Sequence, residues 1–153
     1  MSPEETQNAY RLVTAAVQGD VETLRAVLDT GADVHFQEDL PLRAAAYTGQ
    51  LACMKILVTA GADVKAHFNE ALYVAAKAGD GKMVDFLLDH GADPDIALKF
   101  HGKKMDAAAT ELINGRSLRD SFEKAQQDQA VIANLAHEAR EKGLKFNLRP
   151  PRP

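Results

Sequence analysis

LPLRAAAYTGQLACMKILVTAGADV, residues 40–64, is the stretch whose reading decides the fold. Leu42, Ala45 and Ala46 are spaced as one helical turn with small residues on its packing side, where a neighbouring helix can approach closely. Gly49, three residues on, ends that helix, because glycine takes the left-handed conformation without a Cβ clash. Met54, Leu57 and Val58 then fall on one face of a second helix, and Gly61 of the Gly61-Ala62-Asp63 triplet stops it.

The same pattern lies on either side of this stretch. Gly-Ala-Asp recurs at Gly31, Gly61 and Gly91, a period of 30 residues. The turn glycine keeps that period at Gly19, Gly49 and Gly79, and so do Leu12-Ala15-Ala16 and Leu72-Ala75-Ala76. Leu24, Val27 and Leu28, and then Val84, Leu87 and Leu88, repeat the second helix. One helical hairpin cannot bury its apolar face alone, so the reading is an all-α solenoid of stacked helix-turn-helix units.

Residues 40–64 resemble the ankyrin family's TPLHLAAxxGHLEVVKLLLxxGADV almost position by position, and the resemblance covers about residues 8–96. It implies an ankyrin-repeat solenoid with repeats at 1–33, 34–63 and 64–96. Two features depart from the family. The usual unit is about 33 residues, and the loss here falls after Gly-Ala-Asp, so the projecting hairpin is expected to be shortened. The histidine of TPLH is replaced by Val13, Arg43 and Tyr73, which puts its loop-to-loop hydrogen bonds in question. The short unit is similar to that of some bacterial and viral ankyrin proteins.

At the start, Ser2, Pro3 and Glu5 form a capping box for a helix over about residues 3–18. After Asp93 the pattern stops and Pro94 replaces the earlier valines. Residues 97–143 read as a degenerate fourth repeat plus a C-terminal helix, together a helical cap. One helix is expected from about Gly102 to Asn114, ended by Gly115. Another is expected from about Leu118 to Lys142, with Ser117 and Asp120 as its cap and the Gln126–Gln129 segment as a possible break. Residues 144–153 read as an extended tail.

The bulk properties point away from several classes. Apolar residues make up 46% and charged residues 26%, the balance of a globular domain. The net charge of -4 lacks the attraction behind most nucleic-acid binding. No apolar run approaches the roughly 20 residues of a membrane span. The opening MSPEETQNAY does not read as a secretory signal. Cys53 is the only cysteine, which excludes an intramolecular disulfide and suits a reducing compartment; the expected location is cytoplasmic.

Catalytic, cofactor and metal motifs are not found. Ala78–Lys82 has the composition of a phosphate loop but sits at a helix–helix turn and lacks the spacing. Cys53 aligns with Thr23 and Met83 on a core-facing position, where a cysteine is a small inert hydrophobe. His90, Asp93, Asp95 and His101 read as a helix-end histidine and solvated loop groups rather than a metal site. The reading is therefore of a non-enzyme with no cofactor.

The resemblance implies that the partner is another protein, met by the loop tips and the exposed side of the first helices. The positions that carry over are Phe36, Gln37, Glu38 and Asp39 in one loop and His67, Phe68 and Asn69 in the next. On the first helices they are Gln18, Tyr47, Thr48 and Lys77, with Tyr10 at the loop–helix junction. Aromatics are favoured interface anchors, though Phe36 and Phe68 are alternatively expected to fold back into the space left by the short hairpins. The expected role is to modulate or inhibit the bound protein, as a monomer or weak homo-oligomer. The alternatives are a homo-oligomeric scaffold built on the C-terminal helix and an enzyme with a cryptic site.

Overall fold

The structure is a computed structural model and describes residues 1–141. The elements are α1 (Pro3–Gln18), α2 (Val21–Asp29), α3 (Phe36–Tyr47), α4 (Leu51–Thr59), α5 (Ala66–Lys77), α6 (Gly81–Asp89), α7 (Pro94–His101), a 3-10 turn (Gly102–Lys104) and α8 (Ala107–Glu141). No strand occurs among the described residues. One compact unit comprises Met1–Gly115 and a second begins at Arg116.

In the first unit, α1, α3, α5 and α7 stand side by side, and α2, α4 and α6 each back onto the preceding first helix. The alanine pairs explain the close approach. Ala15, Ala16, Ala45, Ala46, Ala75 and Ala76 are all buried, together with Leu12, Leu42 and Leu72. Leu24, Met54, Leu57, Val84 and Leu87 from the second helices complete one continuous core. Gly61 shows why the triplet glycine is required: its φ of 103° is one that a side-chain-bearing residue rarely adopts.

The capping box at Ser2 is present, with Ser2 accepting from the Glu5 amide at 3.1 Å and Glu5 from the Ser2 amide at 2.6 Å. The second helices are capped unequally. Asp20 accepts from the Thr23 amide and Asp80 from the Met83 amide, whereas Gln50 at the same position of the middle repeat makes no such bond. The Thr23 hydroxyl and amide hold the Asp20 carboxyl below its ordinary value. Gln50→Asp is therefore expected to stabilise the protein by about 1 kcal/mol, measured by urea unfolding. A carboxylate held in that way is charged in the folded state to lower pH than in the unfolded chain. At Asp20 that contribution is complete above the ordinary carboxylate range and is lost as pH falls through its lowered folded-state value.

One expectation takes a definite form and two are corrected. The shortened hairpin is a turn of left-handed helix: Gln37, Glu38 and Asp39 have φ of 48°, 57° and 55°, and His67, Phe68 and Asn69 have 51°, 59° and 59°. Such residues cost about 1–2 kcal/mol each, and side chains hold them there. Asp39 Oδ1 accepts from the Asp63 amide at 2.8 Å, and Asn69 Oδ1 accepts from the Asp93 amide at 2.7 Å. Arg43 donates to the Gln37 carbonyl at 3.2 Å. Loop-to-loop bonding thus survives the loss of the TPLH histidine, carried by different residues.

Secondly, a helix precedes Gly102. Pro94 opens α7 instead of breaking the chain, because proline at the first helical position loses no bond and Asp93 caps it, accepting from the Asp95 and Ile96 amides at 2.9 and 3.1 Å.

Thirdly, Gly115 does not end a helix. A glycine terminates a helix when it goes left-handed, and Gly115 has no positive φ, so α8 runs through it and through Ser117 and Gln126–Gln129. Asp120 accepts from Arg116 at 2.8 Å, one turn away, and does not cap a new helix. The helix starts instead at Asp106, which accepts from the Ala109 amide at 2.7 Å. Ala109 and Ile113 are buried in the first unit's core. The expected stop at Gly143 and the tail 144–153 lie outside the described residues.

Candidate functional site

The loops and the exposed side of the first helices carry the candidate residues. Between α1, α3 and α5 runs an open groove of about 380 Å³ lined by Val17, Leu40, Arg43, Ala44, Tyr47, Thr48 and Glu70. Tyr47 is 74% exposed there, and Val17, its counterpart one repeat earlier, is also exposed. Arg43 and Glu70, both half-buried, pair across the repeat boundary, and His67 Nδ1 lies 3.1 Å from Glu70. The groove therefore offers an apolar wall and a neutralised polar one. Gln18 and Thr48 are exposed beside it.

The other candidates divide by burial. Gln37, Glu38, His67, Phe68 and Lys77 are exposed. Asp39 and Asn69 are buried and committed to the loop-to-loop bonds, so they cannot reach a partner. Phe36 is also buried, its ring edge-on to Tyr10 at 5.0 Å, which leaves Tyr10 half-exposed as the outer member of the pair. Of the two aromatics expected either to bind or to fold back, Phe36 folds back and Phe68 does not. Phe68 stacks on Phe100 at 4.3 Å with both rings about half exposed. Phe100 escaped the sequence reading because α7 did; the Asp93-Pro94 start signal would have placed it.

The chemistry-bearing residues are not brought together. Cys53 is fully buried, and burial pushes its thiol up, with the Asp20 charge adding to the effect. Its reaction with a thiol reagent is expected to be slower in the native protein than in urea by roughly a hundredfold or more, followed by absorbance. His90 meets the Phe86 carbonyl at 2.7 Å, Asp93 is a cap, and His101 is buried against Tyr73 at 4.7 Å. No group of three potential metal ligands occurs among the described residues. Gly81 of the Ala78–Lys82 segment opens α6 beneath the Asp80 cap, which puts a carboxylate where a phosphate would sit. No helix of the described residues is long and apolar enough to cross a membrane.

No curated protein is significantly similar to the chain. A family model described as ankyrin repeats matches residues 12–97 in three copies. Ankyrin repeats are generally protein–protein interaction modules and typically non-catalytic. The match spans more than half of the sequence and falls on the three helical hairpins whose glycines, alanine pairs and apolar faces build the stack, so the chain belongs to the ankyrin-repeat family.

Proposed function

We propose that the protein works by binding another protein through the groove between α1, α3 and α5, and that it modulates or inhibits that partner without catalysing a reaction of its own. The observation that carries this reading is Tyr47, a large aromatic 74% exposed at a groove with apolar lining from Val17, Leu40 and Ala44. A rigid aromatic beside such a recess is the usual form of an interface anchor. Gln18 and Thr48 supply polar contacts at its edge. The Arg43–Glu70 pair supplies directional groups without net charge. The buried lone thiol of Cys53 fits a reducing compartment such as the cytoplasm.

The test is a photo-crosslinker placed at position 47, with the crosslinked partner identified by mass spectrometry and its affinity then measured directly. Tyr47→Ala and Val17→Asp, both at exposed sites, should each weaken that partner by tenfold or more without shifting the melting curve. A partner held equally well by both variants would place the binding face elsewhere.

A second reading, self-association through α8, is favoured by Phe122 and Val131, which are 65% and 56% exposed on that helix. Light scattering over a range of concentrations decides it; a monomer at every concentration removes it.

A further inference from the structure

We propose that the exposed Phe68–Phe100 stack, with Lys99 against it and Lys103 and Lys104 directly following, is a docking surface for an acidic protein segment bearing an aromatic or aliphatic anchor. The two rings lie 4.3 Å apart and nearly parallel at 16°, and each is about half exposed. A stacked pair open to water on one side presents a flat apolar platform. Lys99 Nζ stands over the Phe100 ring, 5.7 Å from its centre, so a cation lies against the face of the pair. On the neighbouring helix, Tyr73 stacks on His101 of α7 at 4.7 Å, which holds α7 against α5. Lys103 and Lys104 are exposed directly after α7.

The charge of this surface runs against that of the chain. Residues 99–104 carry three lysines and no carboxylate, whereas the whole chain has a net charge of -4. Of the nearby carboxylates, Glu70 is neutralised by Arg43 and contacted by His67. An acidic segment is thus attracted here and repelled by the rest of the molecule, which gives orientation as well as affinity. The same balance disfavours nucleic acid, whose phosphates would meet three lysines against a net negative chain. The platform uses residues other than those of the Tyr47 groove and predicts a partner chemistry that the groove does not.

The test uses the full chain and a fluorescein-labelled, glutamate-rich peptide carrying phenylalanine, read by anisotropy. Saturable binding that weakens steeply with added salt is expected, with no binding of a lysine-rich counterpart. Phe100→Ala should weaken the peptide by about tenfold. The combined reversal Lys99→Glu, Lys103→Glu and Lys104→Glu, all at exposed positions, should weaken it by at least about tenfold. Tyr47→Ala should leave it unchanged, which separates this surface from the groove. The proposal is overturned if the peptide does not bind, if the lysine reversal leaves its affinity unaltered, or if an oligothymidylate binds more tightly.

Discussion

Leu57→Ala is expected to destabilise the protein by about 3 kcal/mol and to broaden or split its unfolding transition in urea. Leu57 is fully buried in α4 of the middle repeat, where it belongs to the core shared with the hairpins on both sides. Removing its branched end leaves a cavity that rigid alanine-lined helices cannot collapse into, and the cost is a large share of the roughly 5–15 kcal/mol that holds a domain together. In a stack, cooperativity passes only between neighbours, so weakening the middle hairpin uncouples the two ends. Leu24→Ala removes an equally buried side chain from a hairpin with a neighbour on one side only. It should therefore lower stability by a comparable amount while leaving a single transition. Leu57→Met, which keeps the volume, should cost less than about 1.5 kcal/mol. Indistinguishable transition shapes for the Leu57 and Leu24 variants would argue against nearest-neighbour coupling.

The stack was legible in the sequence because each repeat states it three times. Glycines at a fixed period, an alanine pair and an apolar stripe all mark the same register, and the structure has each of them where that register requires. The loops were less legible. Left-handed turns are normally announced by glycine, and residues 37–39 and 67–69 contain none. The one available sign was Asp39 and Asn69, the two residue types that best tolerate that conformation. The same blind spot governed the candidate site. Phe36 and Phe68 both sit at the start of a first helix, but Phe36 precedes the left-handed turn and faces inward, while Phe68 lies within it and faces water. The region after residue 93 misled for another reason. Pro94 and Gly115 each have opposite meanings according to position, proline as helix breaker or helix start and glycine as stop or tolerated interior residue. Only the caps at Asp93 and Asp106 separate the two meanings.

Asn69→Ala should cost about 2–4 kcal/mol, the largest effect expected of any loop residue, and should loosen α7 before the rest of the stack. Asn69 is buried, its Oδ1 accepts the Asp93 amide at 2.7 Å, and its own φ is 59°. Alanine loses on both counts: a partly buried amide goes unpaired, at about 1–3 kcal/mol, and a Cβ without a local hydrogen bond is forced into the left-handed region, at about 1 kcal/mol or more. Two further variants separate the contributions. Asn69→Gly relieves the backbone but not the amide, and should recover only part of the loss. Asn69→Asp restores the acceptor found at Asp39, where His35 lies 3.1 Å from the carboxylate; the equivalent neighbour here is Lys65, so this variant should approach the wild type. Hydrogen exchange locates the damage. Because Asp93 both donates its amide to Asn69 and caps α7, its amide and those of Asp95 and Ile96 should lose protection together while α1 and α2 keep theirs. Uniform loss across all repeats would mean that the loop-to-loop bond supports the whole stack rather than the junction between α5 and α7. Since α7 carries Phe100, the same substitution should also weaken the acidic peptide even though Asn69 is out of its reach, and Asn69→Asp should restore that binding.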